Sequence, residues 1–449
     1  MSFIIYFTLL ISTVFAFHRP KSFESSIGKA VFVDFIDARY DILYDLENKT
    51  AKVRAEMEFD APEEGYPIFD LVEDPTSVQI DGVVSHSLAT ETPEKETTLR
   101  ILKSKVSQGV HHLVIEAPLK ELIDFGDGEV KSAFWTSDLS SREFLERYLP
   151  ASFEYDQVKM DFNVKFIGAK KRQVIFTNGV VEERALNEYK ISFPDYFTSS
   201  SLFFHTVPEG KLREIRFLLK SIDGRSIPSL IYTAPSFFGG TASNLERLKV
   251  EATNVFNELE ADYGPWPHPQ LLIYNAGRGG MEYCGATITE FSALGHEMFH
   301  SYFARGVMPA NGNAGWIDEA LASWRDNGYQ STDSLWGSSS MSSHPYYTRR
   351  TDRAAYTFGE KFMRLLNGKL QSQGGLKPFM RNMVSNKLFS PFVVEEFILE
   401  MEKFFGVKIE NDFKKYTFDK SMFGEFKNDP SQESSMHPKM TLEELKNYL

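Results

Sequence analysis

A chain of 449 residues with 62 acidic and 49 basic side chains carries a formal charge of −13, which excludes the basic footprint that a phosphate backbone demands. Its 42% hydrophobic and 25% charged content is that of a globular protein, and the length predicts two or three domains. The single cysteine, Cys284, excludes an intrachain disulfide, and 39 phenylalanines predict a large aromatic core.

Residues 1–16, MSFIIYFTLLISTVFA, hold no charged side chain. The apolar run Phe3 to Ala16 is too short to span a bilayer and ends in small residues at Val14-Phe15-Ala16, so it reads as a cleaved signal peptide. Export follows, to a periplasm or as a secreted protein, and the lack of disulfides leans towards a bacterial periplasm. No later stretch is apolar enough for an integral membrane span.

From residue 17 to 235 short alternating runs are separated by turn signals. Ala38 to Asp45, Lys52 to Phe59, Ser77 to Ile80, His112 to Glu116, Val158 to Phe166 and Gln173 to Phe176 are predicted strands, with Asp81-Gly82 and Asn178-Gly179 as tight turns. This half predicts an all-β domain. His205 has no ligand-like spacing and reads as structural.

From 236 to 449 the period becomes helical. Asn244 to Tyr263 places Leu245, Leu248, Ala252, Val255 and Leu259 on one face. A strand at Gln270 to Tyr274 and an extended segment at Met281 to Ile288 follow. Helices are then expected at Phe291 to Ala304, Asp318 to Asn327, Asp352 to Leu366, Lys377 to Ser385 and Val393 to Phe405. The serine-rich stretch Ser338 to Ser343 reads as a mobile loop.

The second half contains His296-Glu297-Met298-Phe299-His300, an H-E-x-x-H sequence inside a helical pattern. Positions i and i+4 share a helix face, so both imidazoles can reach one zinc. A catalytic zinc needs a third protein ligand and an open fourth position. Glu319, separated from His300 by eighteen residues and at the start of the next helical stretch, supplies that carboxylate. Glu297 is then spare to take a proton from the attacking water and pass it to the leaving amine. Upstream, Gly279 and Gly280 let backbone approach a ligand closely, and an exposed edge there could pair with an extended peptide. Glu282 would lie close to the metal, placed to hold an ammonium. Downstream, Tyr356 opens a helix and could donate to an oxyanion.

Together these pieces resemble the gluzincin family of aminopeptidase N and leukotriene hydrolase, whose G-x-M-E-N, H-E-x-x-H…E and Y-x-x-G motifs appear here as Gly279-Gly280-Met281-Glu282-Tyr283, His296 to His300 with Glu319, and Tyr356 with Gly359. Arg147-Tyr148-Leu149-Pro150 and the strands after it look like the family's N-terminal β-domain. The resemblance implies an α+β fold, a β-sheet domain followed by a thermolysin-like, mainly helical domain. It implies one Zn2+ per chain held by His296, His300 and Glu319, with Glu297 as general base and Tyr356 as oxyanion donor. Substrate would meet Gly279, Gly280 and Met281, with Glu282 as amine anchor for peptides bearing a free N-terminus.

Tyr283 replaces the usual Asn, and the intervals from Glu282 to His296 and from Glu319 to Tyr356, thirteen and thirty-six residues, are short for the family. No second amine anchor is identifiable; Ser141 and Glu143 lie nearest. The family's large C-terminal helical domain has no counterpart, which predicts an open cleft. The resemblance implies an aminopeptidase; an endopeptidase or epoxide hydrolase on the same zinc, or a peptide-binding relative without activity, are the alternatives.

Overall fold

Along Asp34–Asp45 the residues Phe35, Ala38, Tyr40, Ile42 and Tyr44 are buried while Arg39, Asp41 and Leu43 face outward. This two-residue period builds the first half of the molecule. The computed structural model describes residues 19–91, 97–136, 144–234, 242–343 and 351–418. The proposed signal peptide therefore lies outside the described residues. Asp34–Asp45 pairs antiparallel with Thr50–Ala61, Tyr40 opposite Ala55, and parallel with Lys159–Ile167, Tyr40 opposite Phe162. These three strands centre an eight-stranded sheet. A four-stranded sheet, Ile123–Phe125, Val130–Phe134, Phe204–Pro208 and Gln173–Thr177, and a five-stranded sheet that includes Gly28–Phe32 and Tyr66–Asp70 complete the β-rich half.

The expected turn at Asp81-Gly82 is present, with φ of 50° and 76° linking Ser77–Ile80 to Val83–Ser85. Asn178-Gly179 is no hairpin. The chain there leaves the four-stranded sheet at Thr177 and enters the eight-stranded one at Val180. The buried Asn178 amide donates to the carbonyls of Ser201 and Cys284 and accepts from the Phe203 N–H, so it ties the two halves of the chain together.

The boundary expected at 235 falls after two strands that pair with the second half. Arg213–Lys220 and Ser226–Thr233 form one sheet with Leu271–Asn275, Ala286–Thr289 and Gly280–Tyr283, in that order, with Gly280–Tyr283 at its edge. Leu271–Asn275 is buried throughout because both faces of this sheet are covered. On one face Tyr232 and Tyr274 stack at 4.7 Å, continuous with Phe176 and Trp135 of the β-rich half. The other face packs Ile231 and Ile273 with Leu248, Ala252 and Leu259 of helix α1 (Ala242–Tyr263).

The remaining elements are mostly helical: α2 (Leu294–Phe299), α3 (Asn311–Ala314), α4 (Ile317–Asp326), α5 (Glu360–Lys369), α6 (Leu376–Lys387) and α7 (Val394–Phe405). Helix α2 is shorter than its apolar pattern predicts. After Phe299 the hydrogen bonds tighten to three-residue steps, Ser301 to Met298 and Tyr302 to Phe299. The chain then folds back at Ala304, whose φ is 137°. The serine-rich stretch is not a loose loop. Met341 and Ser342 are buried, and the Ser342 hydroxyl accepts from the Trp316 indole and donates to Thr417. Among the described residues no helix is long and apolar enough to cross a membrane.

Candidate metal centre

Helices α2 and α4 meet through buried side chains, and the polar residues at the seam converge. One ligand atom each from His296, His300 and Glu319 lies within 4.8 Å of the others, all three residues buried. Oε2 of Glu319 is 3.0 Å from Nε2 of His296 and 3.4 Å from Nε2 of His300. Tetrahedral coordination with bonds of about 2.0–2.1 Å separates ligand atoms by about 3.3 Å. The two observed spacings bracket that value, so the donor set fits zinc. His300 follows directly on α2, and the backbone turn there still presents it beside His296, their ring centroids 4.8 Å apart.

Each imidazole is held by its other nitrogen. Nδ1 of His296 is 2.6 Å from Oδ2 of Asp326, and Nδ1 of His300 is 3.1 Å from the carbonyl of Phe303. With Nδ1–H donating, the Nε2 lone pairs point at the centre, the arrangement that orients metal-binding histidines. Burial works against a charged His296, but Asp326 and then Glu319 outweigh it and raise its pKa well above the ordinary histidine range. Burial also pushes Asp326 up; His296 and then Arg325 overcome this and hold its carboxyl below the usual range. Arg325 in turn bonds both oxygens of Glu258 on α1, at 3.0 and 2.8 Å. Gly295 leaves room for this clamp, since a Cβ there would stand 2.6 Å from Nη1 of Arg325.

The edge strand Gly280–Tyr283 approaches the centre from the sheet side. A Cβ on Gly280 would lie 2.0 Å from Oε1 of Glu297, so the carboxylate rests directly against bare backbone. Gly279, at φ 62°, makes the turn into this strand. Strand alternation puts Glu282 on the side of Gly280 and sends Met281 with Tyr283 into the apolar core of the β-rich half. The Met281 side chain is thus packing; its backbone carbonyl accepts from Thr287. Glu282 forms a second close group with His300 and Asp318. Oε1 of Glu282 is also ion-paired with Arg305 at 3.0 Å, both side chains buried. Tyr356 sits on a π-turn, Ala355–Gly359, with its ring facing His296 at 6.4 Å between centroids. Gly359 presses this turn onto α4, where its Cβ would meet that of Ala320 at 2.8 Å.

No protein-family model and no curated protein matches the sequence. Solved structures do match. An aminopeptidase A from Legionella pneumophila, crystallised with aspartic acid, superposes with a TM-score of 0.64 at 14% identity, over 90% of this chain and 51% of that one. An M1 zinc metallopeptidase from Deinococcus radiodurans gives 0.59 at 14% identity, over 84% and 91%. Native yeast LTA4 hydrolase gives 0.59 at 13% identity, over 87% and 68%. The chain has the M1 zinc metallopeptidase fold. It spans about half the length of the Legionella protein.

Within this M1 fold the structure gathers His296, Glu297, His300, Glu319, Tyr356, Gly280 and Glu282 around one point. Sequence reasoning missed Asp326 and Arg305. Asp326 had a signal: it stands seven residues after Glu319, two turns along the same face of α4. Arg305 had none, because its partners Glu282 and Ser200 lie 23 and 105 residues away.

Proposed function

We propose that this chain is a zinc-dependent peptidase. The convergence of His296, His300 and Glu319 beside the backbone-packed Glu297 carries the reading. Zinc held by those three residues would polarise the scissile carbonyl and lower the pKa of a water molecule. The protein's own groups do the rest. Glu297, lodged against Gly280, takes a proton from water and returns it to the leaving nitrogen. Tyr356, beside His296, donates to the carbonyl oxygen as negative charge develops on it. The strand Gly280–Tyr283, at its sheet's edge, offers backbone groups to an extended peptide. The helical half, in this reading, is a thermolysin-like catalytic domain.

Two registers are open to such a site. Glu282 as an amine anchor gives an aminopeptidase, the activity that the family resemblance implies. A Deinococcus radiodurans protein of the same fold has been crystallised with a Tyr-Ser-Ala substrate, which supports peptides as the substrate class. The ion pair between Glu282 and Arg305 favours the second register, cleavage of internal bonds. Purified protein should cleave a panel of aminoacyl amides or internally quenched peptides, with activity lost to a chelator and restored by zinc. Cleavage that survives metal removal would refute the proposal. The charge-free apolar run at residues 3–16 supports export as the setting of this activity.

A further inference from the structure

We propose that Arg305 cancels the amine anchor, so that this site, read as a peptidase, does not demand a free N-terminus. An ammonium is drawn to a buried carboxylate because no cation already neutralises it. Here Glu282 is neutralised. Arg305 reaches it from the turn after α2 at 3.0 Å, and its other terminal nitrogen donates to Oγ of Ser200 at 2.6 Å. Arg305 is only 3% exposed and Glu282 only 1%. The Arg305 backbone is held as well, its carbonyl accepting from Sγ of Cys284 at 3.5 Å. Elements distant in sequence thus fix it in place.

The position matters for substrate choice. Glu282, His300 and Asp318 each bring a ligand atom within 4.8 Å of the others, so the Glu282 carboxylate borders the metal centre itself. An α-ammonium arriving there meets a Glu282 carboxylate already paired with a cation, and the guanidinium repels it as that carboxylate attracts it. A backbone amide N–H suffers no such repulsion and can still donate to Glu282. Arg305 therefore acts through Glu282 as a positioning residue that shifts preference from free N-termini towards blocked ends and internal bonds.

The test compares one tripeptide, Leu-Ala-Ala, with its N-acetylated form, binding to the zinc-loaded Glu297→Gln protein by calorimetry. With Arg305 present the two affinities should agree within about threefold. Arg305→Asn should favour the free amine by tenfold or more, and Arg305→Lys should restore the original ratio. A tenfold preference for the free amine with Arg305 in place overturns the proposal, as does a ratio that Arg305→Asn leaves unchanged or binding of neither peptide. If Arg305→Asn does not fold, the comparison with Arg305 present still decides. Turnover is scored separately with Glu297 intact. Matched binding without any cleavage would sink the peptidase reading and leave the role of Arg305 standing.

Discussion

A methyl group on Gly280 would stand 2.0 Å from Oε1 of Glu297, and its nearest neighbours are all atoms of that one carboxylate-bearing side chain. Gly280→Ala should therefore push the Glu297 carboxylate aside without touching His296, His300 or Glu319. The expected outcome is a loss of about a hundredfold or more in kcat, the scale of general-base catalysis, at unchanged zinc content. Kinetics and metal analysis on the same preparation check it. Asp326 acts at the other end of the site, where it grips Nδ1 of His296 at 2.6 Å. Asp326→Ala should weaken zinc binding by about 10- to 100-fold, the usual range for a group that orients a ligand, as read by competition with a chelating dye.

At the scale of elements, the geometry of the candidate site depends on how closely α4 and the Tyr356 turn approach each other. Gly359 has ordinary helical dihedrals, so alanine there would gain about 1 kcal/mol of helix propensity. The clash with Ala320 at 2.8 Å, well inside the usual carbon–carbon contact of about 3.5–4.0 Å, works against that gain. Overpacking of this kind costs about 1–3 kcal/mol, so Gly359→Ala should lower the denaturation midpoint. The double variant Gly359→Ala, Ala320→Gly should recover most of the loss.

The elements also mark what the sequence could and could not reveal. Ser77–Ile80 and the buried face of α1 were legible because period and turn chemistry agree there. The nearness of His296 to His300 was legible because helix geometry is local, whereas Glu319, on another helix, was reached only through its eighteen-residue interval. The end of α2 was not, since Ala304 breaks the helix where the apolar pattern continues. Asn178-Gly179 misled because its dipeptide matches a hairpin turn while its side chain is committed to Ser201, Cys284 and Phe203. Arg305 was invisible for the same kind of reason: a buried ion pair is defined by tertiary approach, which no local pattern encodes.

Across the whole molecule, two buried histidines outside the candidate metal centre contribute to the loss of stability in acid. Burial, with Lys131 adding to it, pushes His205 down to about 3, and burial does the same to His268. His205 lies in the aromatic stack between the halves, bonded to the Tyr232 hydroxyl at 3.1 Å, and His268 faces the carbonyl of Ser301 at 2.9 Å. Both stay neutral in the folded protein while the unfolded chain protonates them near pH 6.5. Between those values the unfolded state binds more protons, so stability is lost as pH falls from about 6.5 towards 3. Each histidine contributes about 1.4 kcal/mol per pH unit in that window. Denaturant unfolding should therefore show a shallower pH dependence for His205→Asn than for the unaltered chain.

Metal stoichiometry tests the account most directly. Purified protein equilibrated with zinc and then desalted should retain one ion per chain, and His296→Ala or Glu319→Ala should retain almost none while keeping the fold by circular dichroism. A chain that emerges free of metal, or a Glu319→Ala protein that still holds a full equivalent, would contradict the claim that His296, His300 and Glu319 form a single zinc site.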